Sequence, residues 1–571
     1  MTDIRRTVLW VVFTASLFLL WDGWQKHNGR PSMFSPAPRT AATAPATPAS
    51  GGTVPAATAA AGTAPTAPAP VAAAPSEKVI VRTDVLNVTV DTLGGDIVRA
   101  ELPRYLTSPD PTVTDQLLQM VRLKKPDPFT PEPVVLFNAA QHYRAQTGLV
   151  SAQGPLPSHT TPMTVVAGER ELKDGQDEIK LRLESAEVGG VKLVKTFTFK
   201  RGAYTVGVTH EVVNAGTAPV TPQVYLQLVR DGSTVTGGAA FTPSFTGPAV
   251  YNSNSKFKTL KFEDIDKGKV DIDKTANDGW VSMVQHYFAS AWLVNEPGNR
   301  EFFVRKLPGQ VGARADTYAT GMVFTLPTLA PGASTTQSAV LFAGPQEENK
   351  LAKLAPGLER VKDYGMLTII AEPLFWLLDK LHGFIGNWGW TIVALVLLLK
   401  VALYGLNASA YKSMARMKAV APRINELKER YKDKPQEMQQ EMMKIYREEK
   451  INPIGGCLPI FAQMPIFMAL YWVLLSTVEM RQAPWMLWIT DLSVRDPYFI
   501  LPLLMMASSL FQVWLNPPAA DPMQQKMMWI MPVAFGVMFF VFPAGLVLYW
   551  LTNNILSIAQ QWMINRQLGV N

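Results

Sequence analysis

Hydrophobic and polar positions divide the chain into three regimes. In the C-terminal third, long apolar runs alternate with short polar breaks. Five of them read as membrane-spanning helices, at about 388–406, 457–476, 497–515, 527–542 and 544–562. A sixth apolar run, Thr7 to Trp21, follows Arg5-Arg6 near the N-terminus and with its flanks approaches the ~20 residues a span requires. It reads as an uncleaved anchor over 1–24, with a cleaved signal peptide as the alternative. No Ala-x-Ala site follows directly, and Trp21 and Trp24 sit where interfacial anchors belong. Arg5 and Arg6 then hold the N-terminus in the cytoplasm, and alternation places the C-terminal tail, 563–571, there too.

Between anchor and spans the pattern changes twice. Residues 25–76, and 31–76 above all, are built from Ala, Pro, Thr, Gly and Ser, a composition that forms no core and predicts a disordered, partly polyproline-like tether. From 77 to 346 short strands are predicted. Lys78 to Val90 carries β-branched alternation before a turn at Gly94-Gly95, and Ile179-Lys-Leu-Arg-Leu183 alternates strictly. Val191–Lys200 and Tyr204–Val213 meet at Arg201-Gly202, and Val224–Val229 and Phe302–Arg305 are further strands. Many short strands with no long helical period predict a β-sandwich outside the cytoplasm. Residues 347–387 turn helical. In Pro373–Ile385 the residues Leu374, Leu377, Leu378, Leu381 and Phe384 share one face, which predicts an amphipathic helix lying in the membrane interface or packed on the β-domain.

The loops carry the charge signal. Loop 407–456 holds eleven Lys/Arg, from Lys412 to Lys450, whereas loop 477–496 has only Arg481 and Arg495. This asymmetry places 407–456 and 516–526 in the cytoplasm and 477–496 in the periplasm. Helix formers over Ala410–Tyr431 and Gln436–Lys450, broken near Asp433-Lys-Pro435, predict a two-helix cytoplasmic hairpin. The chain has 571 residues, 48% hydrophobic and 17% charged, with net charge +7. That is too long for one domain and too apolar at its C-terminal end for a soluble enzyme. The positive-inside rule explains the basic excess better than nucleic-acid binding, and no specific nucleic-acid sequence is expected as a partner. Cys457 is the single cysteine, so no intrachain disulfide forms and a Cys-based zinc site is excluded. The six histidines show no ligand spacing, and no metal or other cofactor is expected.

Candidate chemistry narrows to one charge. No Gly-x-Ser-x-Gly, Walker A or His-Glu-x-x-His pattern occurs, and the interiors of the apolar runs lack Asp and Glu, so no catalytic residues are expected. Lys400 lies inside the first core run, where a charge costs about 2.5–3.5 kcal/mol on insertion scales. One reading is snorkelling: Asn407 is roughly 10 Å away along a helix axis. A helical Cβ leans toward the helix N-terminus, here the outer side, which opposes snorkelling to the cytoplasm. The other reading is a wet groove open to the cytoplasm and lined by Gln463, Ser508, Ser509, Gln512, Thr552, Asn553 and Asn554. Each of these alone is equally a helix–helix hydrogen bond. Prolines and glycines loosen the spans, and methionines such as Met464, Met468 and Met531 add adaptable apolar surface, either plain lipid contact or a face for varied apolar segments. Two other classes stay open. A secondary transporter calls for coupling carboxylates and often internal repeats, and the sequence shows neither. A carbohydrate module calls for a concave β-domain site with convergent carboxylates or histidines.

Five motifs carry a resemblance: Asn452-Pro-Ile-Gly-Gly-Cys-Leu-Pro459, Gln463-Met-Pro-Ile-Phe467, Leu487-Trp-Ile-Thr-Asp-Leu492, Asp521-Pro-Met-Gln-Gln-Lys526 and Phe542-Pro-Ala-Gly-Leu-Val-Leu-Tyr-Trp550. With Trp280-Val-Ser-Met-Val-Gln-His-Tyr-Phe288, they resemble the YidC/Oxa/Alb family of membrane protein insertases in its Gram-negative six-span form. The resemblance implies a polytopic α-helical inner-membrane protein of six transmembrane helices, with a five-helix insertase core and a large periplasmic β-supersandwich domain. It implies a hydrophilic groove with one basic residue, here Lys400 where many relatives carry arginine. It implies substrate contact by Met464, Pro465, Met468, Met531, Tyr549 and Trp550. The implied partners are nascent membrane proteins, membrane lipids, the ribosome and the Sec translocon (SecYEG, SecDF).

Overall fold

Side chains that alternate in the sequence alternate in burial in the computed structural model. It describes residues 76–108, 129–233, 245–307, 316–431, 434–449, 458–516 and 522–567, with isolated positions between them. The 1–24 run lies outside the described residues, as do nearly all of the 25–76 linker and residues 450–457 and 517–521. In Glu178–Ser185, Ile179, Leu181 and Leu183 are buried while Lys180 and Arg182 are exposed. Strands Val191–Lys200 and Thr205–Asn214 pair antiparallel across the Arg201-Gly202 turn, where Gly202 takes φ +70°, a conformation glycine adopts without steric cost. Lys78–Arg82 and Asn87–Asp91 form a hairpin held by Thr83, and the expected turn at Gly94-Gly95 leads into Asp96–Leu106.

The strands form two nine-stranded sheets, antiparallel throughout. The first runs in space Lys78–Arg82, Asn87–Asp91, Asp96–Leu106, Arg144–Val150, Gln223–Asp231, Thr317–Thr325, Arg300–Lys306, Thr275–Ala276, with Pro133–Val135 beside Asp96–Leu106. The second runs Lys256–Thr259, Gly247–Asn252, Trp280–Val284, Phe288–Leu293, Ser334–Pro345, Thr205–Asn214, Val191–Lys200, Glu178–Ser185, Met163–Val165. Their facing sides enclose one large core that includes Phe197, Val208, Leu226, Leu228, Trp292 and Leu341. Gln223–Asp231, in the middle of the first sheet, is buried at every position.

A polar inclusion sits in that core. Lys195 Nζ donates to Gly94 O (2.6 Å) and Thr147 O (2.7 Å), and Asp96 accepts from Gln146 (2.6 Å). His210 Nε2 pairs with Thr147 Oγ1 (2.9 Å), and His159 Nδ1 with Tyr225 Oη (2.5 Å). Burial pushes the Asp96 carboxyl up and the Lys195 amine down, and holds both histidines at about 3. Carboxylate and histidines do converge here, but they are enclosed between the sheets and form no concave site of the kind a carbohydrate module calls for.

After the last strand, a short helix at Glu348–Leu354 and a single 3-10 turn at Leu358–Val361 pack Leu351, Leu358 and Val361 onto Trp280, Val284 and Phe342 of the second sheet. The helical region then comprises α1 (Thr368–Ile385), α2 (Trp388–Ala402), α3 (Tyr404–Arg430), α4 (Pro435–Glu448), α5 (Leu458–Ser476), α6 (Ile500–Leu515), α7 (Pro522–Met538) and α8 (Ala544–Gln567). Helix α1 buries Ala371, Leu374, Phe375 and Leu378 in the helical core rather than against the sandwich. Of the expected face, Phe384 is 90% exposed, and Trp376, two turns earlier, is 61% exposed.

Several helices depart from the expected spans. The run expected over 388–406 breaks at Leu403, where α2 and the start of α3 meet at 67°. Helix α7 starts at Pro522 and stops at Met538, where residues 539–542 turn ahead of Pro543. Among the described residues no single helix is long and apolar enough to cross a membrane, while α2 and the first part of α3 reach that length together. Helix α3 begins six residues before Ala410 and runs through Pro422, packing Val420 and Ile424 on Ile445 and Tyr446 of α4. The helical core gathers Ile392, Leu395 and Val396 of α2, Leu470 and Val473 of α5, Leu501 and Met505 of α6, and Leu546 to Leu548 of α8.

Candidate functional site

Lys400 occupies the last turn of α2, and its side chain turns into the bundle, leaving the residue 9% exposed. Its amine donates to Ser557 Oγ of α8 at 2.7 Å. Ser557 in turn donates to Asn553 O one turn earlier (2.8 Å), a back-bond that fixes the hydroxyl with its lone pairs toward the amine. Asn553 Oδ1 accepts from Gln463 Nε2 of α5 at 2.9 Å. A chain of hydrogen bonds therefore ties α2, α8 and α5 around one cation. The recess beside it, about 280 Å³ with its open mouth, is lined by Val396, Leu399, Lys400, Leu403, Asn407, Gln463, Ile466, Tyr549 and Asn553. None of these is acidic, so among the described residues a buried cation faces a recess with no counter-charge in its lining.

The bend at Leu403 builds part of this recess. It turns α3 away from the α2 axis and brings Asn407, 5% exposed, to the wall beside Lys400. Gln560, one turn beyond Ser557, reaches back to Tyr404 O at 3.5 Å.

The expected groove residues separate into two sets. Lys400, Gln463 and Asn553 join in the recess. Asn554 faces the other way, because one residue on a helix turns the side chain by about 100°. Its Nδ2 donates to Ser508 Oγ (2.9 Å) and Ser509 Oγ (3.3 Å), clasping α6 to α8. Gln561, two turns along the same face, donates to Asn516 (2.9 Å). Thr552 and Gln512 are half-buried and lie outside the lining of the recess. Sequence reasoning missed Ser557, Asn407 and Gln560. Ser557 was within reach: it lies four residues after Asn553 and so shares its helix face.

The expected contact residues also divide. Met464 (50% exposed), Pro465, Met468 and Met531 point outward, on α5 and α7. Tyr549 is buried and lines the recess. The Trp550 ring lies 4.2 Å from Phe467 and 5.2 Å from Phe539, centroid to centroid. Helix α7 presents the broadest apolar surface, with Trp529, Ile530, Met531, Val533, Phe535 and Val537 all exposed. Among the described residues no cluster of three or more His, Cys, Asp or Glu could hold a metal ion.

Two family models divide the chain between them: the YidC periplasmic domain matches residues 78–377, and the 60Kd inner membrane protein matches residues 380–570. Among curated relatives, the membrane protein insertase YidC of Cupriavidus taiwanensis is 51% identical over 99% of this chain and 98% of its own length. That of Ralstonia nicotianae is 50% identical over 100% and 99%, and that of Burkholderia cenocepacia 48% over 99% and 99%. A solved structure titled as an active YidC insertase, 19% identical, covers 84% of this chain and 91% of that one, with a TM-score of 0.39.

Proposed function

The chain belongs to the YidC family of membrane protein insertases, and from that premise we propose that it inserts nascent inner-membrane proteins and helps them fold. The family is an inner-membrane one with a periplasmic domain. In this reading α2, α5, α6, α7 and α8 lie in the bilayer, the β-domain in the periplasm, and both termini and the α3–α4 hairpin in the cytoplasm. The observation that carries the reading is Lys400, a buried amine that faces a recess with no acidic residue among the described residues of its lining.

A polar segment crossing a bilayer must leave water, and the barrier grows with the apolar distance to be crossed. A hydrated recess halfway along that path shortens the distance. Lys400 attracts the acidic residues of an incoming tail, and the attraction is strong because water is partly excluded there. The outward apolar faces of α5 and α7, with Met464, Pro465, Met468 and Met531, guide the hydrophobic segment into lipid, and Tyr549, in the recess wall, and its neighbour Trp550 are the aromatic contacts of this reading. Burial of that segment, at about 25 cal/mol per Å², drives the process without nucleotide or covalent chemistry. The hairpin receives nascent chain or ribosome, and the β-domain is the surface toward the Sec translocon (SecYEG, SecDF).

The test uses proteoliposomes holding only this chain and a small single-span substrate with an acidic translocated tail. Wild type, Lys400→Arg, Lys400→Ala and Lys400→Glu are compared. Insertion kept in Arg, reduced in Ala and lowest in Glu supports action through positive charge. Equal insertion by all four removes Lys400 from the mechanism.

A further inference from the structure

The polar groups of the Lys400 recess largely satisfy one another, with one exception. Gln463 donates to Asn553 Oδ1, Ser557 donates to Asn553 O, and Lys400 donates to Ser557. Asn407 does not join. Its Nδ2 is shielded from solvent and has no hydrogen-bond partner among the described residues, although the side chain lines the recess. Its backbone N–H is already committed to Leu403 O at 3.0 Å as part of α3, so the orphan is the side-chain amide alone.

A buried amide N–H without an acceptor costs about 1–3 kcal/mol. Lys400 adds to the excess: an ammonium has three N–H donors, and one of them goes to Ser557. The recess thus offers surplus donors from two side chains and, among the described residues, no acidic acceptor. Lys400 and Asn407 are seven residues apart on either side of the Leu403 bend, and both border the same space. A carboxylate is the group that complements such a pair, because its two oxygens accept separately and its charge answers the ammonium.

We propose that Asn407 is a second carboxylate donor of the recess, so that an acidic side chain of the incoming segment is held by the Lys400 ammonium on one oxygen and the Asn407 amide on the other. This rests on the insertase reading above and adds selectivity to it. An ammonium alone is a point charge that attracts an acidic residue without fixing its orientation. An amide beside it adds direction, and it separates an acidic residue from its neutral isostere by more than charge alone does.

The test measures insertion by the full chain in proteoliposomes, with two substrates that differ only in carrying Asp or Asn at one position of the translocated tail. Wild type, Asn407→Ala, Asn407→Gln and Asn407→Asp are compared, and the readout is the Asp-to-Asn insertion ratio. In Asn407→Ala the ratio falls about tenfold, the scale of one hydrogen bond to a charged group, while a thermal midpoint in detergent no lower than that of wild type shows the fold to be intact. Asn407→Gln, which keeps the amide, restores part of the ratio. Asn407→Asp places a carboxylate beside Lys400, and the ratio falls below that of Asn407→Ala. A wild-type ratio in Asn407→Ala overturns the proposal, as does an equal loss for both tails, which marks Asn407 as a packing residue. If wild type inserts neither tail above empty liposomes, the insertase reading itself fails first.

Discussion

Lys362 Nζ lies 3.9 Å from Glu479 Oε2 and, on its other side, 3.9 Å from Glu348 Oε2, with no side-chain exposure at all. The Phe375 ring covers the amine at 3.5 Å. Three parts of the chain meet at this cation: Glu348 from the tail of the β-domain, Phe375 from α1, and Glu479 from the turn after α5. Val478, next to Glu479, packs into the sandwich core itself. Burial lowers the Lys362 amine and raises both carboxyls, so desolvation outweighs the mutual attraction at this joint.

Lys362→Met is therefore expected to destabilise the joint by about 3–5 kcal/mol, the range for stranding a buried charge. Two carboxylates would face each other with no cation between them. Limited proteolysis of the full chain in detergent reads this as faster cleavage between residues 355 and 368. Adding Glu479→Gln to Lys362→Met recovers part of the loss. If the double variant is cleaved as fast as Lys362→Met, Glu479 is not the partner.

The enclosed His210 makes the β-domain sensitive to acid. Its folded-state pKa of about 3 lies below the ordinary 6.5 because burial penalises the imidazolium. A depressed base gives stability that is full above 6.5 and is lost as pH falls toward 3, since only the unfolded chain takes up the proton in that window. At pH 5 the loss is about 2 kcal/mol for one such histidine. Asp96, raised by burial, works in the opposite sense, so the share of His210 is read from His210→Asn. Hydrogen-exchange protection over Thr205–Asn214, corrected for intrinsic rates, is expected to fall off less between pH 7 and pH 5 in His210→Asn than in wild type. Equal losses assign the acid response elsewhere.

The strands at 179–213 were legible because one face of each is buried, which forces period-two alternation onto the sequence. The all-buried strand Gln223–Asp231 showed only as a short apolar run, Val224–Val229, since burial on both faces erases the alternation. The break at Leu403 was hidden: Val401-Ala-Leu-Tyr-Gly-Leu406 contains no proline, and its one poor helix former, Gly405, lies two residues past the bend. Lys400 stood out because a charge inside an apolar run is rare. Its partner Ser557 did not, because a serine in such a run is ordinary. Asn553 and Asn554 are adjacent in sequence and indistinguishable by composition, yet one faces α5 and the other α6.

That division predicts different behaviour for the two sets. Ser508→Ala with Ser509→Ala removes the clasp from Asn554 and is expected to cost about 0.6 kcal/mol per hydrogen bond, the average for such bonds between membrane helices. A small drop in thermal midpoint in detergent, with insertion near the wild-type level, is the expected result. Gln463→Ala breaks the bond to Asn553 beside Lys400 and is expected to lower insertion more than it lowers the midpoint. If the serine pair lowers insertion as much as Gln463→Ala does, the clasp and the recess work as one site.

Ser557 supplies the sharpest test of how the amine is held. Its hydroxyl accepts from Lys400 and donates to Asn553 O, so it passes no net charge to the recess and acts only by position. In Ser557→Ala the amine loses its acceptor and is free to turn toward water, which costs about 1.5–3 kcal/mol if the bond to a charged group is not replaced. Insertion of an acidic-tailed substrate is expected to fall several-fold, and Ser557→Thr, which keeps the hydroxyl, to restore most of it. Ser557→Asp goes further, because its carboxylate pairs with the ammonium and cancels the attraction for an incoming acid. The expected order of insertion is wild type, then Thr, then Ala, then Asp. A variant series in which Ala equals wild type and only Asp fails would show that the charge of Lys400 suffices wherever the amine points, and that its orientation by Ser557 does not matter.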